Sequence, residues 1–218
     1  MPPDRATAQA AAHGLGLALD EAQADQLLDY LSLLQRWNAT YNLTAVRDPA
    51  AMWLQHVVDC MAAVPSVRAC LPLDRPSRIL DVGSGGGLPG IVWAVLMPRV
   101  DITCVDTVGK KAAFIRQAAG ALGLQHLHAQ HARVETMKVP PFDLITSRAF
   151  ASLPDFIRLT RHLLAPDGHW AAMKGKPPTE ELAAMRLPST LFHVEHLQVP
   201  GLDAERCLVW VKNSTTST

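Results

Sequence analysis

An acid followed by a run of glycines, Asp81-Val82-Gly83-Ser84-Gly85-Gly86-Gly87, is the part of this chain best suited to hold a ligand. Glycine allows a turn with φ > 0 and lets a ligand approach the backbone with no Cβ in the way. Arg78 to Val82 is a short apolar run with β-branched residues, and beyond Pro89 an apolar segment, Ile91 to Met97, resumes at helical spacing. The pattern is strand, glycine turn, helix, with the helix's unpaired N–H groups aimed over the turn. Gly85 to Gly90 also spells the G-x-G-x-x-G of a dinucleotide site. However, the register that fits the strand end starts at Gly83 and puts Leu88 where the third glycine would be needed. Asp81 would repel a pyrophosphate, whereas S-adenosylmethionine carries a cationic ammonium and a cationic sulfonium that a carboxylate attracts. Asp81, Gly83, Gly85 and Gly87 therefore favour the methyl donor over NAD. No Gly-Lys-Ser or Gly-Lys-Thr phosphate loop occurs.

Asp106 closes the next apolar run, about 20 residues past the glycines, where doubly wound folds place an acid against ribose hydroxyls. Thr107 and Lys110 follow at once, so a helix N-cap is the competing role. Glu135 follows the third strand, within reach of an adenine. Lys110, Lys111, Arg148, Lys174 and Lys176 fall at or just beyond C-terminal strand ends, the ligand edge of such a sheet. Gathered there in a chain of zero formal net charge, they suggest an anionic substrate such as a phosphate backbone. His126, His128 and His131 cluster, but no cysteine or acid completes a ligand set, and His193 and His196 fare no better, so no metal is expected. No serine stands in a Gly-x-Ser-x-Gly elbow.

These residues need a sheet to carry them. Strands are predicted at 78–82, 101–106, 127–132, 142–147, 169–174, 192–199 and 206–212, and helices at 88–97, 110–122, 153–164 and 179–185. Alternation predicts an α/β fold with a doubly wound, mostly parallel seven-stranded sheet, and the final pair of strands suggests one antiparallel member. Before the sheet, Asp20 with Gln23 three residues on signals a helix start, and Leu27, Leu28, Leu31, Leu34 and Trp37 share one helical face. A polar connector is expected from Trp37 to Asp48, a second helix from Asp48-Pro49, and a proline-bearing linker from Pro65 to Pro76. The expected division is a helical segment, 1–76, packed on a donor-binding domain, 77–213, with a disordered tail, 214–218. The 218 residues are 49% hydrophobic, enough for a buried sheet, and the balance of 20 basic and 20 acidic residues argues against a chain coated in nucleic acid. Four scattered cysteines with no C-x-x-C pair read as free thiols of a reducing compartment. With no charged leader and no apolar run long enough to span a membrane, a cytoplasmic chain is expected, acting as a monomer.

Together these motifs resemble the bacterial small-subunit ribosomal RNA guanine-N7 methyltransferases, also known as the glucose-inhibited division protein B family. The resemblance runs from about Leu28 to Lys176. It rests on Trp37-Asn38, Tyr41 to Pro49, His56 with Asp59, the glycine loop, Asp106 with Lys110-Lys111 and Phe114, Ser147-Arg148-Ala149, and Lys174-Gly175. Gly86, Leu88 and Cys60 depart from the commonest family residues without removing a group the chemistry needs. The resemblance implies an S-adenosylmethionine site including Gly83, Leu88, Asp106, Val134, Glu135 and Arg148. It sets Asn42, Arg47, His56 and Lys174 near a guanine of 16S ribosomal RNA or of the small ribosomal subunit. Guanine N7 carries a free lone pair, so positioning rather than a general base would drive transfer. Arg148 and Lys174 would hold a phosphate or the base O6, and Asn42 would orient the ring. A methyltransferase acting on a small molecule or on another RNA is the nearest rival. An NAD-dependent oxidoreductase and a non-enzymatic RNA-binding module stand further off.

Overall fold

The computed structural model describes residues 3–148, 152–185 and 192–213. Five strands run parallel: β1 Ser77–Val82, β2 Val100–Asp106, β3 Leu127–His131, β4 Phe142–Ser147 and β5 Leu164–Lys174. β6 Phe192–His196 and β7 Cys207–Lys212 follow, and the order across the sheet is β3-β2-β1-β4-β5-β7-β6. The last strand in sequence is thus inserted between β5 and β6, antiparallel to both. The order of strand addition reverses between β1 and β4, and a doubly wound sheet opens its ligand crevice at such a switch point, beyond the carboxyl ends of the strands.

The strands alternate faces, as a two-residue period requires. Ile79, Ile102, Cys104, Leu144 and Met173 join one apolar cluster; Leu80, Val105, Ile145, Trp170 and Val209 join the other. Helices α1 Arg5–Gly14, α2 Glu21–Tyr41, α3 Pro49–Met52, α4 Asp59–Ala62, α5 Val64–Cys70, α6 Gly90–Leu96 and α7 Gly109–Ala121 contribute to the first cluster. α8 Leu153–Thr160 and α9 Thr179–Met185 cover the second.

Asp20 caps α2 in a reciprocal capping box with Gln23, as its spacing predicts. α2 runs further than expected, through Trp37 to Tyr41, because those two rings pair at i,i+4 and Asn42 ends the helix in the left-handed region at φ 50°. The connector beyond is folded back by Asn38. Its buried side chain accepts from Thr44 N–H (2.8 Å) and donates to Val46 O (3.2 Å). Asp48 caps the next helix, which widens into a π-helical turn, Trp53–Val58, between α3 and α4. The stretch expected to be a linker is helical from Val64 to Cys70: Pro65 lies in the first turn, where a missing N–H costs nothing. β5 begins earlier than expected, at Leu164, with an irregularity in register opposite Phe142 and Leu144 that accommodates Pro166 and Gly168. The strand expected at 192–199 pairs only to His196, and the helix expected to reach Leu164 tightens to a 3₁₀ turn after Thr160. The tail expected at 214–218 lies outside the described residues, as does Ala149 of the Ser147-Arg148-Ala149 motif.

α2 also satisfies the helices it crosses. Gln23 donates to Val95 O (2.9 Å) near the end of α6, and Gln26 to Leu122 O (2.7 Å) after α7, two carbonyls a helix terminus leaves unpaired. Buried Tyr30 donates its hydroxyl to Gly86 O (2.7 Å), fastening α2 to the glycine loop. Tyr30→Phe leaves that carbonyl unpaired in a dry setting and is expected to lower stability by about 1–3 kcal/mol. Urea unfolding of parent and variant measures it; equal midpoints would refute the fastening.

Candidate functional site

β1 ends at Val82 and the chain turns at Gly83, whose φ of 68° a residue with a Cβ adopts only under strain. Its N–H donates to Val105 O (2.9 Å) and the Ser84 hydroxyl to Asp81 O (2.8 Å), so the loop is pinned across β1 and β2. α6 then starts at Gly90, pressed so closely on β2 that a Cβ there would fall 2.2 Å from Cys104 Sγ. That approach explains the glycine after Leu88-Pro89, and it settles the place of Asp81. The carboxyl is fully buried beneath the loop, accepts from Gly90 N–H (2.9 Å) through Oδ2, and has Cys104 Sγ at 3.8 Å. Oδ1 has no partner among the described residues. The sequence places Asp81 facing the ligand; the structure places it under the loop. Burial pushes its pKa up to about 7, against the pull of the Gly90 hydrogen bond and the Arg148 charge.

Above the loop lies a cleft of about 460 Å³ lined by Gly83, Asp106, Lys111, Val134, Glu135 and their neighbours. Asp106, buried at the end of β2, accepts from Gly85 N–H (3.0 Å) and Val108 N–H (2.8 Å), while Lys111 Nζ stands 3.9 Å from Oδ2. It does not cap α7, whose N-cap is Val108. An ionised carboxylate has about four lone-pair positions, so acceptor capacity remains for hydroxyls in the cleft. Leu88 is buried, and Gly85 and Gly87 complete the loop with φ of 57° and 82°.

A second cleft of about 310 Å³ gathers three expected residues, His56, Arg148 and Lys174, with three the sequence reading did not assign: Gln55, Asp59 and Arg206. Arg148 leaves the end of β4 beside Ser147, whose hydroxyl donates to Val82 O (2.8 Å) and ties β4 to β1. The guanidinium Nη1 donates to Gln55 O (3.1 Å) and Asp59 Oδ2 (3.1 Å), and Nη2 to His56 Nδ1 (3.0 Å). Arginine cannot accept, so His56 Nδ1 is the acceptor and its proton sits on Nε2, donated to Thr44 Oγ1 (2.7 Å). The 3.0 Å approach of Nδ1 to Gln55 O is then a meeting of two acceptors on one guanidinium. Burial first and the Arg148 charge second lower the His56 pKa to about 4, so the ring is neutral and spoken for at both nitrogens. Asp59, buried, also accepts from Arg206 Nε (2.8 Å). Burial pushes its carboxyl above the usual range while the two arginines pull it back. Arg148 Nε–H and the second Nη2 hydrogen have no partner among the described residues. Lys174 stands 3.7 Å from Glu181 of α9.

Besides Asp81, Gly85, Gly87 and Leu88 of the loop itself, four expected residues fall outside both clefts. Asn42 and Arg47 bond to each other (3.0 Å) on the connector after α2. Lys110 lies over the Tyr41 ring, and Lys176 is exposed beyond β5. Two larger hollows, about 650 and 670 Å³, lie at the amino ends of β1 and β2 and at the far end of β5 and β7, away from the ligand edge. No group of metal-ligating side chains occurs among the described residues.

A doubly wound sheet with a glycine turn, a buried acid beneath it and a second acid at the end of β2 defines a class I methyltransferase fold. Solved structures agree: TrmN from Thermus thermophilus matches with a TM-score of 0.50 at 25% identity, covering 71% of this chain and 49% of that one. An S-adenosylmethionine-dependent methyltransferase from Aquifex aeolicus matches with 0.53 at 15%, covering 84% and 97%. The family model for rRNA small subunit methyltransferase G matches residues 23–209. Ribosomal RNA small subunit methyltransferase G of Acidovorax sp. (strain JS42) is 57% identical, with 92% of each chain covered; that of Leptothrix cholodnii is 56% identical, with 97% of each covered. The chain belongs to the rRNA small subunit methyltransferase G family, and S-adenosylmethionine is its methyl donor. The residues fit that donor: a glycine-rich loop, acceptors at Asp106 and Glu135, and a buried carboxyl oxygen still lacking a partner among the described residues.

Asp81 makes stability depend on pH. Folded, it keeps its proton up to about pH 7; unfolded, it loses it near 3.8, so its contribution is complete below 3.8 and lost as pH rises to 7. His56 slopes oppositely, contributing above its ordinary 6.5 and losing as pH falls to about 4. The difference between parent and Asp81→Asn in urea unfolding isolates the first group. The parent's advantage is expected to shrink by a few kcal/mol from pH 4.5 to 8. A pH-independent difference would refute the assignment.

Proposed function

We propose that this chain transfers the methyl group of S-adenosylmethionine to N7 of a guanine in 16S ribosomal RNA. The observation that carries the reading is the acceptor cleft: cations around a neutral histidine, with the cleft's carboxylate, Asp59, held in ion pairs by Arg148 and Arg206. Guanine N7 offers its lone pair at neutral pH, so the acceptor needs holding and not deprotonation.

S-adenosylmethionine brings an electrophilic methyl on its sulfonium. Gly83, Gly85, Gly87, Leu88, Asp106, Val134 and Glu135 hold the donor, with Asp81 offering its unpartnered oxygen from below the loop. The unpartnered edge of Arg148 faces the ligands, while Gln55, His56 and Asp59 fix the guanidinium plane. Lys174 and Arg148 take O6 or a phosphate, and Asn42 and Arg47 approach the strand from the connector. Lys110, Lys111 and Lys176 attract phosphates along the rim. Correct orientation of bound reactants supplies on the order of 7–11 kcal/mol, enough for a reaction with no proton to move.

Transfer of tritiated methyl to small subunits and to naked ribosomal RNA, followed by nucleoside analysis, tests the reading. Label is expected in 7-methylguanosine. Donor binding without label in RNA would favour a small-molecule acceptor. Arg148→Lys keeps the charge but loses the fork, and is expected to lower kcat about ten- to hundred-fold when assayed well below the variant's own melting temperature, since charge-assisted bonds contribute roughly 1.5–3 kcal/mol. Unchanged kcat would remove Arg148 from the site.

The paired variant Lys110→Ala/Lys176→Ala, at two lysines outside both clefts, is expected to flatten the salt dependence of RNA affinity by about 0.7 in log–log slope per phosphate released, with donor affinity unchanged. A slope equal to the parent's would leave these lysines as solvated surface.

A further inference from the structure

At the end of α2, the helix that braces the glycine loop, stands an aromatic ring that the transfer reaction does not use. Tyr41, in the last turn of α2, is 38% exposed; the other exposed large apolar side chain among the described residues is Leu73, next to the hollow at the amino ends of β1 and β2. The Tyr41 ring rests on Trp37 (centroids 5.0 Å apart), and Trp37 on buried Phe114 of α7 (5.4 Å). The stack is therefore fixed in the core at one end and open at the other. Lys110 Nζ lies 5.9 Å from the Tyr41 centroid. A lysine in the first turn of α7 gains nothing from the helix dipole, whose amino end favours anions, so helix stability does not explain its position. The same helix α2 holds Gly86 through Tyr30, so the ring is rigidly placed relative to the donor loop. Arg47, at 3.0 Å from Asn42, adds a second cation to the patch.

We infer that Tyr41 is a stacking platform for an unpaired nucleobase of the RNA, with Lys110 and Arg47 taking phosphates of the same strand; this rests on the RNA reading above. Flat rings that accept any base, framed by cations that follow the backbone, are how single-stranded RNA is held without a sequence code. Lys110 now covers the ring on a flexible four-carbon stem. The base displaces the ammonium, which moves to that nucleotide's phosphate. Stacking and charge are separable, because only the second releases counterions.

The probe is a single-stranded purine-rich oligoribonucleotide, its affinity measured by anisotropy across a salt series for the parent, Tyr41→Ala, Tyr41→Leu and Tyr41→Phe. Tyr41→Ala and Tyr41→Leu are expected to bind about ten-fold more weakly at every salt concentration, with the parent's slope, as loss of one stacked base implies. Tyr41→Phe is expected to bind as the parent does. Donor affinity, by calorimetry, stays unchanged throughout. Leucine still covers Trp37, so this variant carries the test if alanine unfolds the end of α2. Parent-like affinity in Tyr41→Leu, or a loss that appears only as a changed salt slope, overturns the platform. A parent that neither binds the oligonucleotide nor methylates ribosomal RNA overturns the RNA reading itself.

Discussion

A guanidinium taken largely out of water must find its acceptors in the protein, and the architecture of the site follows from how Arg148 finds them. Its strand, β4, provides none of the three described. Gln55 O and His56 come from the π-helical turn between α3 and α4, and Asp59 from the first residue of α4. Removing one partner of a buried ion pair typically costs about 3–5 kcal/mol, so β4 could not carry this arginine without the helices before the sheet. The N-terminal helices thus supply the partners that hold Arg148 in place. The π turn sets the Gln55 carbonyl and the His56 ring side by side against the guanidinium, in keeping with the concentration of such turns at functional sites.

The donor loop meets a related constraint with another solution. Close approach of α6 to β2, possible only with glycine at 90 and a small Cys104 opposite, shuts the Asp81 carboxyl away from solvent. One oxygen is satisfied by the helix and the other is not. A buried oxygen without a partner is a cost in the free protein.

The two clefts differ in charge. The first sets Asp106 and Glu135 against Lys111 and Arg133, while the second carries Arg148, Arg206 and Lys174 against Asp59. Zero net charge over the whole chain conceals the cationic excess of the second. The neutral, doubly bonded His56 lies at its centre and links the connector after α2 to Arg148 through Thr44. Its role there is to hold the arginine in place, a role that a list of titratable residues would not suggest.

What the sequence determined by itself is what short-range physics controls. Glycine at 83, 85 and 87 demands a turn with positive φ, a two-residue period demands strands, and alternation with helices demands a doubly wound sheet; each is encoded within a few residues. Asp106 was legible for the same reason, since its distance from the glycines is set by one strand–helix–strand unit. Only the tertiary structure decided which groups meet. Gln55 and Asp59 reach Arg148 from 93 and 89 residues away, and Arg206 reaches Asp59 across 147, so no local pattern announces the cluster. Asp81 looked like a ligand contact because spacing gives a residue's position along a strand and not which oxygen solvent can touch. The proline-bearing stretch before β1 looked like a linker because proline's effect depends on its position in a helix. The boundary between reading and seeing falls where chain-local preference gives way to packing: backbone geometry is specified residue by residue, while burial, and the charge state that follows from it, belongs to whatever the rest of the fold brings alongside.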